Sequence, residues 1–324
     1  MIAHILRRLL QSFAVLAAMS LLVFAGVYAI GNPIDILVNP QSDQNEIARA
    51  TAALGLDRPL AEQYFLFLRH AAAGDLGRSF AFNVPAIGLI VERMPATLEL
   101  ASAAMLIAVL LGIPLGLWAG LKPGSAAGKS IMAGSILGFS LPTFWVGLML
   151  IMVFSVWLGW TPTSGRGPTA NLLGIPVSFL SLDGLRHLIL PSVNLALFNL
   201  ALVIRLTRTG TREAMQQDYV RFARAKGLTE RRIVGAHVLK TVLVPIVTVV
   251  GVEFGSVIAF AVVTESVFAW PGMGKLLIDS INVLDRPVIV GYLCIVVTLF
   301  VAINLLVDLL YTWLDPRVRL SQST

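Results

Sequence analysis

The side chains that could do chemistry are few in this 324-residue chain, and they are widely spread. It has four histidines, His4, His70, His187 and His237, and their separations match no metal-ligand spacing. The run Gly124-Ser125-Ala126-Ala127-Gly128-Lys129-Ser130 approaches the glycine–lysine pattern of a phosphate-binding loop. It is one residue too short, however, and it joins two apolar runs rather than a strand to a helix, so a short turn is expected there. No serine has nucleophile-elbow spacing. The single cysteine, Cys294, lies in an apolar run and cannot close an internal disulfide. The chain is therefore not expected to be an enzyme or to hold a cofactor or metal of its own.

Two groups of charged residues stand out against the apolar background. The first is Glu253, deep in a hydrophobic run, where an ionised group costs about 2.5–3.5 kcal/mol on insertion scales and must face a bundle interior or a wet cavity. It is read either as a residue of a translocation pathway, together with Asn194, or as a structural acid bonded to Asn194, Asn199 or Asn304. Glu99 and Asp308 lie nearer the ends of such runs, where structural roles are expected, and Arg205 can snorkel to an interface. The second group is the basic stretch from Asp218 to Pro245, with Arg221, Arg224, Lys226, Arg231 and Arg232 in quick succession. Residues Tyr219 to Lys226 favour a helix. Gly227 suits the left-handed position after its end, with Leu228 as the usual apolar contact. Thr229 can cap a second helix with Glu230 in its first turn. Val220, Ala223 and Gly227 form a small-residue stripe beside Arg221 and Arg224. That combination is expected to dock into a partner's groove; the alternative is attraction to anionic lipid headgroups.

The elements that position these residues follow from composition. The chain is 57% hydrophobic and 13% charged, with a mean hydropathy of +0.83. A soluble domain has about 25% charged residues, so an all-α, multi-pass membrane protein is expected. Six apolar runs approach the ~20 residues a bilayer requires: 9–30, 98–121, 131–158, 188–204, 241–263 and 288–310. They are continuous rather than alternating, so helices are expected and not a barrel. The retained first run is too long for a cleaved signal core.

The loops set orientation. His4, Arg7 and Arg8 precede the first run, Lys122 and Lys129 follow the second, and nine basic residues against three acids lie between Arg205 and Lys240. Arg317 and Arg319 follow the last run. The positive-inside rule makes this side, with both termini, cytoplasmic; the net charge of +6 is read this way rather than as nucleic-acid binding. Trp157, Trp160 and Trp270 are expected at the outer interface. Residues 31–96 are expected to form a small extracytoplasmic helical region, with helices over 44–54 and 60–73 ended by Gly74 and Gly77. Residues 161–184 read as a loop rich in Gly, Pro and Ser, and 270–274 as a turn before an amphipathic segment. The organisation is thus a first run (1–30), an outer region (31–96), a core (97–311) with a cytoplasmic loop (206–240), and a tail (312–324). Within the runs, Gly112/Gly116/Gly120, Gly134/Gly138 and Gly251/Gly255 have the spacing of close helix packing. Pro114, Pro142, Pro191 and Pro245 can kink their helices.

The run Asp218-Tyr219-Val220-Arg221-Phe222-Ala223-Arg224-Ala225-Lys226-Gly227-Leu228 resembles the cytoplasmic coupling loop of binding-protein-dependent ABC importer permeases, in the form found in dipeptide, oligopeptide and nickel importers. Further matches are Ile5-Leu6-Arg7-Arg8-Leu9-Leu10, Gly74-Asp75-Leu76-Gly77-Arg78-Ser79, Pro95-Ala96-Thr97-Leu98-Glu99-Leu100, Thr264 to Gly274, and Leu314-Asp315-Pro316-Arg317-Val318-Arg319. Together they are similar to the first of two permease subunits. The general Glu-Ala-Ala is Arg221-Phe222-Ala223 here, Leu-Pro is Leu239-Lys240, and Gly31-Asn32-Pro33 stands where Pro-Gly-Asp-Pro is common. The resemblance implies the type I importer permease fold in a bacterial inner membrane. It implies a homologous second permease, two ATPase subunits (or one homodimeric ATPase) that bind ATP and Mg, and an extracytoplasmic binding protein. It also implies a coupling role for Tyr219, Val220, Arg221, Ala223, Arg224, Ala225, Lys226, Gly227 and Leu228. The cargo it implies is a di- or oligopeptide, with nickel or another small solute as the alternative within the family. Outside the family, an ion-coupled secondary transporter using Glu253 is the competing class.

Overall fold

The computed structural model describes residues 2–29, 44–53 and 57–314, with side chains over 10–26, 44–45, 47–49, 51–52 and 57–307. The motifs at Gly31-Asn32-Pro33 and 315–319, the tail, and the side chains of His4, Arg7, Arg8 and Asp308 lie outside the described residues. The helices are α1 (Ile2–Ala29), α2 (Gln44–Ala53), α3 (Leu60–Ala72), α4 (Ala86–Leu121), α5 (Ala126–Ser140) and α6 (Thr143–Leu150, continued by a π-helical stretch Ile151–Trp157). After a hairpin of β1 (Ala170–Leu172) and β2 (Ile175–Val177) come α7 (Leu182–Met215), α8 (Asp218–Ala225), α9 (Glu230–Val267, π-helical over Ile233–Val238), α10 (Met273–Asn282) and α11 (Arg286–Leu314).

Helix α4 begins at Ala86, twelve residues before the expected run 98–121, and α7 runs well beyond 188–204. Hydropathy marks only the stretch suited to lipid, whereas the helix continues until a breaker stops it. At 1.5 Å per residue, the 36 residues of α4 and 34 of α7 reach about 50 Å, well past a ~30 Å hydrocarbon core. Among the described residues, four helices are long and apolar enough to cross a membrane: Ala86–Leu121, Leu182–Met215, Glu230–Val267 and Arg286–Val307. Leu10–Gly26 is a shorter apolar helical segment. The expected single run 131–158 is instead two helices, α5 and α6, bent by 108° at Leu141-Pro142. Proline disfavours the α region for the residue before it, and Leu141 is extended (φ −85°, ψ 139°). Counting that pair as one crossing gives five such spans among the described residues, and the segment Leu10–Gly26 lies within the remaining expected run, 9–30. The expected loop 161–184 also carries an antiparallel hairpin, paired Ala170 to Val177, with Leu173 and Gly174 both at positive φ in its turn.

Contacts divide the chain into two compact units, Met1–Pro95 with Pro271–Ala302 and Ala96–Trp270 with Ile303–Thr324. In the first, Ser20 and Tyr64 share a 2.8 Å hydrogen bond and Phe24 packs on Tyr64 and Phe67, tying α1 to α3. The Gly74–Ser79 motif has a structural account. Gly74 and Gly77 adopt positive φ (76° and 85°), and Asp75 accepts from the Gly77 amide at 3.0 Å. Ser79 Oγ donates to buried Asp285, which also accepts from the Phe80 and Ala81 amides at 3.0 and 3.3 Å.

In the second unit, α4 crosses α7 along a glycine seam. A Cβ at Gly112 would fall 2.7 Å from Val203. One at Gly116 would fall 2.5 Å from Thr207 Cβ and 2.7 Å from the Ile204 carbonyl oxygen, and one at Gly120 2.7 Å from Thr211. Backbones approach this closely only where side chains are absent. Gly251 meets Val307 in the same way, whereas a Cβ at Gly134 or Gly138 would meet nothing within 4 Å among the described residues. Trp270 is wholly buried rather than interfacial, and its indole N–H donates to the Ala96 carbonyl at 2.9 Å. Trp157 and Trp160 are exposed.

Candidate docking segment and buried polar groups

Helix α8 leaves α7 through Gln216 and Gln217 and is closed by a Schellman motif. The Leu228 amide donates to the Ala223 carbonyl at 3.2 Å and the Gly227 amide to the Arg224 carbonyl at 2.9 Å. The closure requires a left-handed residue, and Gly227 supplies it with φ +77°. Leu228 packs on the same apolar cluster as Ala223. Thr229 occupies the cap position of the next helix, but its side chain makes no capping bond. Arg224 Nε and Nη2 donate to the two Glu230 carboxylate oxygens at 2.6 and 3.2 Å, bridging α8 and α9 across the glycine. This hydrogen bond raises the Arg224 pKa and lowers that of Glu230.

The expected stripe does not face outward. Val220 and Ala223 are buried with Val203, Ala214, Ile233, Val238, Val242 and Ile246. Small apolar residues on an amphipathic helix serve the chain's own core when another helix is there to cover them. The outward face is Asp218, Tyr219, Arg221, Phe222, Arg224, Ala225 and Lys226. Phe222, which the sequence reading passed over, is 63% exposed. The Lys226 ammonium sits 4.6 Å from its ring centroid, and Arg221 pairs loosely with Asp218 at 3.4 Å. The clue was present in the sequence: a large aromatic placed out of phase with the Val220–Ala223 stripe.

Glu99 has the structural role expected of it and is buried. Its Oε2 accepts from Arg166 Nε and Nη2 at 2.9 and 2.5 Å, and its Oε1 from the Ser178 amide, the Ser178 hydroxyl and the Phe179 amide at 2.6, 2.8 and 3.0 Å. Arg166 also donates to the Pro176 carbonyl at 2.6 Å, so the pair fastens the hairpin to α4 at Glu99, nearly four turns into the helix. Glu265 is buried and accepts from Thr97 at 2.6 Å. Asn194 is enclosed, with its amide nitrogen donating to Thr264 at 3.0 Å and its carbonyl oxygen unpartnered; it offers no surface to a solute in this conformation. Glu253 is half-buried, and its carboxylate makes no hydrogen bond or ion pair among the described residues, with Asn194, Asn199 and Asn304 included. The glycine–lysine run is a helical connection: Ser125 caps α5 by accepting from the Gly128 amide at 3.0 Å. His187 bonds the Asp183 carbonyl at 2.8 Å. No group of three metal-binding side chains occurs among the described residues.

Comparison with known proteins agrees with this layout. Residues 112–320 match the model of the binding-protein-dependent transport system inner membrane component, and residues 1–101 match the model of the N-terminal region of such membrane components. The chain is 41% identical to the di/tripeptide transport system permease protein DppB of Pseudomonas aeruginosa, covering 98% of this chain and 99% of that protein. It is 38% identical to the dipeptide transport system permease protein DppB of Escherichia coli K12 over the same shares. Among solved structures, a chain of the MetNI methionine ABC transporter aligns with a TM-score of 0.53 at 16% identity, covering 70% of this chain and 96% of that one, which shows a shared fold. A glycine-closed basic segment between long apolar helices, matched by family models along nearly its whole length, makes this chain a member of the binding-protein-dependent transport system inner membrane components.

Proposed function

We propose that this chain is one of two membrane-spanning subunits of an ATP-driven importer of di- and oligopeptides in a bacterial inner membrane. The observation that carries the reading is the outward face of α8, basic and aromatic, held rigid by the Schellman closure and the Arg224–Glu230 bridge. Full-length similarity to permeases named for di- and tripeptides supports the cargo. A homologous second permease completes the pathway, an extracytoplasmic binding protein delivers the peptide, and two ATPase subunits bind ATP and Mg. The coupling residues divide by role. Tyr219, Arg221, Phe222, Arg224, Ala225 and Lys226 meet the ATPase, while Val220, Ala223, Gly227 and Leu228 fix the helix that presents them. Because Val220 and Ala223 are locked into α7 and α9, a push on α8 passes to two membrane helices as a rigid-body displacement. Both termini lie on the ATPase side.

The test is expression of the tagged chain with its neighbouring gene products. Co-purification of an ATPase and ATP-dependent uptake of labelled dipeptide are expected. Ion-gradient-driven uptake by the lone chain in vesicles would overturn the reading, and competition by nickel but not by dipeptides would move the cargo to a metal.

A further inference from the structure

Glu253 lies near the centre of the 241–263 apolar run, thirteen residues from Lys240 and twelve from Glu265. At 1.5 Å per residue it is about 20 Å from either, too deep for its short side chain to reach an interface. Among the described residues its carboxylate has no ion-pair partner. None of the six apolar runs, 9–30, 98–121, 131–158, 188–204, 241–263 and 288–310, contains a lysine, arginine or histidine. Its position on α9 is equally specific. Ile246, Glu253 and Phe260 are seven residues apart and lie along one line of the helix, and they pass from buried through half-buried to 75% exposed. Glu253 thus stands where this face of the helix leaves its own bundle. An ionised carboxylate there, facing lipid, would be strongly disfavoured. The face must open instead onto a wet cavity or another chain.

We propose that Glu253 is a cargo site: its carboxylate receives the α-ammonium group of the peptide in transit. This rests on the peptide-importer reading above. Every unmodified peptide carries an α-ammonium whatever its side chains, so one carboxylate serves a chemically varied cargo without reading sequence. A homologous partner permease built on the same plan, with no cation inside its spans, would leave the cargo as the source of positive charge. A charge-assisted N–H···O bond at mid-depth orients the peptide amino end toward α9 and remains weak enough, as a single contact, for release.

The test uses the complete transporter, with both permeases, ATPases and binding protein, arrested with a non-hydrolysable ATP analogue. Two photoreactive dipeptides are compared, one with a diazirine side chain on the first residue and one on the second. The first-residue probe is expected to label α9 within about one turn of Glu253 several-fold more than the second. Glu253→Gln should cut that labelling and the kcat/KM of uptake about tenfold or more, the effect of one lost charge-assisted bond. Glu253→Asp should retain much of both. Equal labelling by the two probes, labelling away from α9, or normal uptake by Glu253→Gln overturns the proposal. So does loss of the second permease from purified Glu253→Gln complexes, which would make the carboxylate a subunit-pairing group. Absence of labelling from this chain together with absence of any peptide uptake would sink the peptide-importer reading itself, a distinct outcome from these.

Discussion

Removing the Glu99 carboxylate should free the hairpin that α4 holds down, and the size of the effect can be worked from its bonds. Glu99 accepts five hydrogen bonds, two from Arg166 and three from Ser178 and Phe179, with side-chain exposures of 3% for Glu99 and 10% for Arg166. Glu99→Ala leaves the guanidinium buried with only the Pro176 carbonyl as an acceptor. Breaking one partner of a buried pair costs about 3–5 kcal/mol, most of it the stranded charge. At ~1.4 kcal/mol per factor of ten, the Ser178 and Phe179 amides should exchange with solvent about 10²- to 4 × 10³-fold faster, in hydrogen exchange of the purified protein in detergent or nanodiscs. The amides of the α4–α7 seam, around Val203 and Thr207, should not change. The double variant Glu99→Leu with Arg166→Met removes both charges and should restore much of the protection, because the stranded charge and not the lost bonds carries the cost. Wild-type exchange at Ser178 and Phe179 in Glu99→Ala, or equal loss in the single and double variants, would refute the reasoning.

Other outcomes follow from the same contacts. Gly116→Leu should block assembly of α4 on α7 and remove the chain from the membrane fraction, whereas Gly134→Ala, with nothing within 4 Å, should be neutral in expression and melting. Phe222→Ala should leave expression and melting unchanged and weaken ATPase pull-down about tenfold or more, as an exposed aromatic anchor would; Ala223→Asp should instead deplete the folded protein, because it places an unpaired carboxylate in the core. Exchanging Arg224 and Glu230 should retain coupling that either single charge reversal loses. The Glu230 carboxyl is held below its ordinary value by the bond from Arg224. The bridge is therefore fully present above the usual glutamate range of about 4.3 and is lost only as pH falls through the lower folded value, so ATPase stimulation should be flat across neutral pH on this account.

Much of the docking segment was legible before folding because its logic is local. A helix end that needs φ +77° selects glycine, and the two residues beyond it read as an apolar contact and a cap position. The face of α8 was not legible. Val220 and Ala223 read equally well as a stripe for a partner or for the chain itself, and only the presence of Ile233, Val238 and Val242 on α9 decides between them. Glu253 was visible as an acid in an apolar run, but the nearby asparagines offered as its partners turn out to be engaged elsewhere or unpaired.

By itself the sequence determined where the apolar stretches lie, which loops carry positive charge, that a helix closes at Gly227, and that none of the six apolar runs holds a lysine, arginine or histidine. These are properties of composition and of a few neighbouring dihedrals. Only the tertiary structure decided that Glu99 is caged by Arg166 across 67 residues, that Asp285 holds Ser79 across 206, and that Gly116 is matched to Thr207 while Gly134 is matched to nothing among the described residues. It alone decided that α5 and α6 break apart by 108°. Pairings of that range depend on which helix faces arrive together, and local propensity carries no record of the neighbour a face will meet.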